Sequence, residues 1–106
     1  MRNEGFGCIY RIWNKVDGKS YIGQTIDVKH RIKAHFNPKS KCPYLRDAIA
    51  KHGKAAFEWE ILDTNIPADD LDKREKEYIR IYNSLAPHGY NLTQGNDESK
   101  KWLRSM

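Results

Sequence analysis

Residues 8 to 23 read Cys8-Ile9-Tyr10-Arg11-Ile12-Trp13-Asn14-Lys15-Val16-Asp17-Gly18-Lys19-Ser20-Tyr21-Ile22-Gly23, and the fold hangs on this stretch. Two runs rich in β-branched and aromatic residues flank Asp17-Gly18, a dipeptide that accepts the positive φ angles of a tight turn, so a β-hairpin is predicted. A two-residue turn sets Val16 against Lys19, Asn14 against Tyr21, Ile12 against Gly23 and Tyr10 against Thr25. Tyr10 and Tyr21 then share one face, roughly 13 Å apart along the ribbon, and Gly23 leaves a side-chain-free notch between them for a ligand. Ile9 and Trp13 fall on the opposite face as packing residues.

Downstream, Asp27 or Thr25 is placed to cap a helix from about Val28 to Phe36. Val28, Ile32 and Phe36 form its apolar stripe. Arg31 and His35 form a second stripe about 100° away and point into one space. A basic loop, Asn37-Pro38-Lys39-Ser40-Lys41, leads to a second helix that starts at Pro43 and stops at Gly53, with Leu45, Ala48, Ile49 and His52 as its stripe. Phe57 to Leu62 alternates as a third strand, with Phe57, Trp59 and Ile61 expected inward and Glu58 and Glu60 in water. Pro67 and the acids Asp69, Asp70 and Asp72 open a long helix that runs to about Asn83. Gly89 to Leu92 reads as a short edge segment returning toward the hairpin.

That last helix carries an anomaly. Its apolar stripe is Leu71, Tyr78, Ile79 and Tyr82, and the position four beyond Leu71 is Glu75. A carboxylate among core-facing residues is costly unless a cation or several hydrogen bonds meet it. Two readings stay open: a buried pair with Arg74, Arg31 or a lysine, or a ligand for a hard divalent cation.

Composition narrows the class. The 106 residues, 39% hydrophobic and 31% charged, suit one soluble domain with a single core. No apolar run reaches membrane-span length and residues 1–5 carry no signal core, so an intracellular location and no membrane partner are expected. Cys8 and Cys42 make no disulfide framework, and their spacing to His30, His35 and His52 fits no zinc pattern. Residues 1–54 hold twelve Lys and Arg against four acids, a net of +8. Residues 55–106 hold seven against ten, a net of −3. A one-sided positive field is the footprint of a phosphate-backbone partner.

Cys8-Ile9-Tyr10 and Tyr21-Ile22-Gly23 resemble the two-strand signature of the GIY-YIG nuclease superfamily, with Cys8 in place of the first glycine. Arg31 and His35 stand at the family's later arginine and histidine, Arg74-Glu75 at its helix glutamate, and Gly89-Tyr90-Asn91 near its domain end. The resemblance covers nearly the whole chain and is nearest to the intron-homing and phage-type branch. It implies an α+β fold, a small three-stranded antiparallel sheet flanked by helices in the order β-β-α-α-β-α with a short C-terminal segment. The domain is expected over residues 1–95, with 96–106 a tail, short helix or linker.

The resemblance also implies a metal-dependent endonuclease acting on DNA, with Glu75 holding Mg²⁺ or Mn²⁺. Arg31 would meet the non-bridging oxygens, and Tyr10 with His35 would serve the attacking water. Tyr21 and Asn91 complete the pocket. Which of Tyr10 and His35 is the base stays open. Gly23, His30, Lys33, Lys39, Lys41 and Arg46 are expected to contact DNA. Targeting would come from a separate DNA-binding domain or protein. The rival readings are a catalytically silent nucleic-acid-binding module and a protein-interaction domain.

Overall fold

A computed structural model describes residues 6–93. The elements run β1 (Phe6–Asn14), β2 (Ser20–Thr25), α1 (Val28–His35), α2 (Pro43–His52), a 3-10 turn (Lys54–Ala56), β3 (Phe57–Pro67) and α3 (Ala68–Tyr82). The strands form one antiparallel sheet in the order β2-β1-β3, so the hairpin's first strand is the central one. The expected tail over 96–106 lies outside the described residues. Among the described residues, no helix is long and apolar enough to cross a membrane.

The hairpin forms, in a register different from the one a two-residue turn would set. Tyr10 pairs with Gly23, Ile12 with Tyr21 and Trp13 with Ser20. The chain reverses through Lys15–Gly18, closed by the Asn14 amide donating to the Lys19 carbonyl at 3.0 Å. Two side chains stabilise this longer loop. Asn14 Oδ1 accepts from the Val16 amide and Asp17 Oδ1 from the Lys19 amide, both at 2.9 Å, each folding the backbone two residues on. Gly18 supplies the positive φ, +78°. Because the slip is two residues, every side chain keeps its face.

Helix ends follow local chemistry. Asp27 accepts from the His30 amide at α1, Pro43 opens α2, and α2 stops at Gly53, where φ is +87°. Asn83 ends α3 in the left-handed region at φ +51°. Helices α1 and α2 cover one sheet face, where Ile32, Leu45 and Ile49 pack with Tyr10, Ile12, Phe57 and Tyr90. Helix α3 covers the other, where Leu71 and Ile79 pack with Ile9, Ile22 and Ile66.

Trp59 and Ile61 depart from expectation. They pair with Ile12 and Tyr10 and so point to the α1/α2 face, yet they are 39% and 47% exposed. The reason is position: β3 is an edge strand, and of its residues only Phe57 joins the buried cluster under α1 and α2. Alternation gives a residue's face and does not give how far the covering layer extends. Glu58 and Glu60 face water as expected, and there pair with Lys15 at 3.3 Å and Arg11 at 3.2 Å.

The return segment reaches the hairpin as expected. The Tyr90 amide donates to the Ser20 carbonyl at 2.9 Å, and Asn91 closes on β2 one step further along.

Candidate active site

Alternation on the hairpin puts Tyr10 and Tyr21 on one face as diagonal neighbours, with ring centroids 6.3 Å apart. The space between them is not an open notch. Tyr10 lies across Gly23, and a Cβ at residue 23 would collide with the Tyr10 hydroxyl and ring. Gly23, expected from the sequence to contact DNA, is buried beneath this ring. The close approach is what requires glycine there.

Helix α1 follows β2 after only two residues, which delivers His35 and Arg31 to the tyrosines. The Tyr10 hydroxyl and His35 Nε2 are 2.7 Å apart, and the His35 ring meets Tyr21 edge-on at 4.9 Å. Burial, and then the Arg31 charge, hold the His35 pKa down to about 4, so the imidazole is neutral at pH 7. Burial pushes Tyr10 well above the usual tyrosine value, and the Arg31 guanidinium only partly opposes this. Tyr21 is also raised, by burial and then by Tyr10 and Cys42. Both phenols are therefore protonated at neutral pH. Burial alone would lower the Arg31 pKa, but the adjoining phenol oxygens raise it, and its cation is secure.

Glu75 lies 3% exposed in the core-facing stripe of α3. The neighbouring Arg74 guanidinium binds Asp63 at 2.6 Å. The Gln24 amide, one residue past Gly23, donates to Glu75 Oε1 at 2.9 Å and to Asp72 Oδ1 at 2.8 Å. Two carboxylates thus converge on one amide, beside the tyrosine pair whose titration Glu75 influences. This oxygen-rich set fits a magnesium-like ion, which takes one or two carboxylates and keeps several waters. No group of three or more His, Cys, Asp or Glu side chains among the described residues makes a closed metal cage.

Asn91 is fully engaged within the protein. Its Oδ1 accepts from the Ile22 amide at 2.9 Å and from Ser84 Oγ at 2.6 Å, and its Nδ2 donates to the Ile22 carbonyl at 2.9 Å. Expected as a pocket residue, it acts as a clamp on the strand that carries Tyr21.

A groove of about 450 Å³ opens from His35 and Arg31 past Asn37, Lys39, Lys41 and Cys42. Lys39 and Lys41 are exposed on its wall. His30 and Lys33 are exposed on α1 outside this lining, and Arg46 is tied to the Ser40 carbonyl at 3.1 Å. Sequence reasoning missed two participants. Cys42, whose thiol donates to the Tyr21 hydroxyl at 3.6 Å, was visible only as a poor zinc ligand. Gln24 gave no signal beyond following Gly23, because its partners lie 48 and 51 residues away.

A hairpin carrying two tyrosines, an Arg-His helix directly behind it and a buried glutamate on the closing helix define a class. The GIY-YIG catalytic domain profile matches residues 6–91, and the chain belongs to that family of endonuclease catalytic domains. Among its relatives, intron-associated endonuclease 1 of Enterobacteria phage T4 is 36% identical over 90 residues, covering 79% of this chain. The chain spans 36% of the length of that relative. The catalytic domain of the intron endonuclease I-TevI superposes with a TM-score of 0.73 at 32% identity, covering 82% of this chain and 98% of that one. Its E75A mutant gives 0.75 at 31% identity, covering 85% and 96%.

Proposed function

We propose that this domain hydrolyses phosphodiester bonds in DNA with one divalent metal, Mg²⁺ or Mn²⁺, held at Glu75. The observation that carries the reading is the convergence of the Arg31 cation, the neutral His35 and two protonated phenols beside a buried carboxylate, at the end of a lysine-walled groove. Family membership supports the nuclease class.

Arg31 is placed to neutralise the non-bridging oxygens as charge builds on phosphorus. A divalent metal held by Glu75 would supply Lewis-acid stabilisation of the charge that builds as the phosphodiester bond breaks. His35 lines the groove whereas Tyr10 is wholly buried, so His35 is favoured as the group that takes the proton of the attacking water. In that role Nε2 carries its hydrogen toward the Tyr10 oxygen and Nδ1 receives the proton. Tyr10 thereby fixes the ring and its tautomer. Tyr21, half-buried, is the phenol nearest to solvent and donates to the substrate phosphate.

One such site cuts one strand at a time. Target choice belongs to a DNA-binding domain or protein beyond this domain. Supercoiled plasmid incubated with Mg²⁺, with chelator, and with the Glu75→Ala variant tests the reading. Metal-dependent nicking before linearisation, abolished by the substitution, is expected. A folded protein that binds DNA and never cuts it would establish a silent binding module instead.

A further inference from the structure

A second groove, of about 480 Å³, is lined by Lys19, Tyr44, Ala86, Pro87, Gly89 and Tyr90. None of these belongs to the catalytic set, yet three of them flank its neighbourhood in sequence. Lys19 is two residues before Tyr21, Tyr44 two after Cys42, and Tyr90 directly before Asn91.

The walls differ in character. Tyr90 is fixed: its ring packs on Phe57 at 6.3 Å between centroids, and its hydroxyl accepts from Asn14 Nδ2 at 3.2 Å. Gly89 packs against the Ser84 backbone, where a Cβ would collide. Tyr44 is 47% exposed, and its phenol has no hydrogen-bond or ring partner among the described residues. An aromatic face left open to water in the first turn of a helix is available for stacking. Lys19 carries the only formal charge on the lining. Asp17 reaches the Tyr90 side chain behind this lining, while on the lining itself a flat ring with a phosphate attached finds both a stacking surface and an ammonium.

We propose that this groove receives one unstacked base of the bound DNA strand beside the cleavage site, stacked on Tyr44, with Lys19 against that nucleotide's phosphate. The inference rests on the nuclease reading above and deepens it by adding a nucleotide subsite next to the proposed cleft. Stacking on an aromatic side chain offsets the loss of base stacking in the duplex and tolerates every base, since each has a π-face. The subsite thus selects for strand deformability.

The test uses fluorescence anisotropy with the metal chelated, so that nothing is cut. The probes are a perfect duplex, the same duplex with one extrahelical 2-aminopurine nucleotide, and one with an extrahelical abasic nucleotide. The base-bearing bulge is expected to bind about tenfold tighter than the other two, with quenched 2-aminopurine emission. Tyr44→Ala abolishes both effects and Tyr44→Phe retains them. Lys19→Gln weakens binding and lowers the salt slope by about one. Equal affinity for all three probes, or a preference that survives Tyr44→Ala, overturns the subsite. Plasmid nicking is scored separately. Cutting without bulge preference sinks only the subsite, a Tyr44-dependent bulge preference without cutting sinks only the nuclease reading, and no DNA binding sinks both.

Discussion

Tyr10 and His35 are 25 residues apart in sequence and 2.7 Å apart at their polar atoms, inside a region that excludes water from the phenol entirely. Burial governs both protonation states: a neutral imidazole faces a phenol that stays protonated. Tyr10→Phe keeps the ring over Gly23 and removes the hydrogen bond. Stability is expected to fall by about 1 kcal/mol. Plasmid nicking is expected to fall on the order of a hundredfold, while DNA affinity holds. An unchanged nicking rate would remove Tyr10 from the chemistry.

The depressed His35 pKa has a thermodynamic consequence. The unfolded chain binds a proton at this imidazole near pH 6.5, and the folded protein only near pH 4. Between those values the unfolded state holds more protons, so stability rises with pH through the window and is lost as pH falls through it. The loss amounts to about 3 kcal/mol at full extent. Thermal melts at pH 7 and pH 4.5 should separate widely for the native sequence and less for His35→Gln. Equal separation would place the acid sensitivity elsewhere.

Gly23→Ala introduces a methyl where the Tyr10 hydroxyl and ring lie. The phenol must leave, or the strands must part. We expect a loss of about 1–3 kcal/mol, read from denaturant midpoints, together with loss of cleavage. Stability within 0.5 kcal/mol of the native sequence, a value roughly that of a neutral surface change, would show that Tyr10 relocates freely.

Arg31→Lys and Asn91→Leu separate the two roles that the sequence lumps together. Arg31 is an exposed helix residue, so its replacement is expected to leave the melting curve alone and cost about 10²–10³ in cleavage, the scale of losing a charge-stabilising donor. Asn91→Leu strips partners from both backbone groups of Ile22 and from Ser84. It should cost about 2–4 kcal/mol of stability, with activity falling because β2 loosens. Denaturation and nicking assays on both proteins decide the matter.

Much of the fold was legible because its signals are local. Asp27, Pro43, Gly53 and Asn83 mark helix boundaries through short-range backbone chemistry, and the 3.6-residue stripe exposed Glu75 as out of place. The hairpin's existence was legible from Asp17-Gly18, but its register was not, because Asn14 and Asp17 each offered the loop an alternative backbone partner. Trp59 and Ile61 were misjudged since coverage of an edge strand depends on where helices stop. Arg31 and His35 were found through spacing. The partners of Glu75, Tyr21 and Asn91 were not, because Gln24, Cys42 and Ser84 join them only after the chain has closed on itself.

Asn91 clasps Ile22 across 69 residues, and the Tyr90 amide meets Ser20 across a similar span. The strand bearing Tyr21 is therefore secured by the last described stretch of the domain. During synthesis, a chain still emerging from the ribosome carries every residue of the hairpin and α1 yet lacks the clasp that holds them in place. Competence arrives in one late step, and a nascent fragment ending before residue 84 is expected to be inert toward nucleic acids around it.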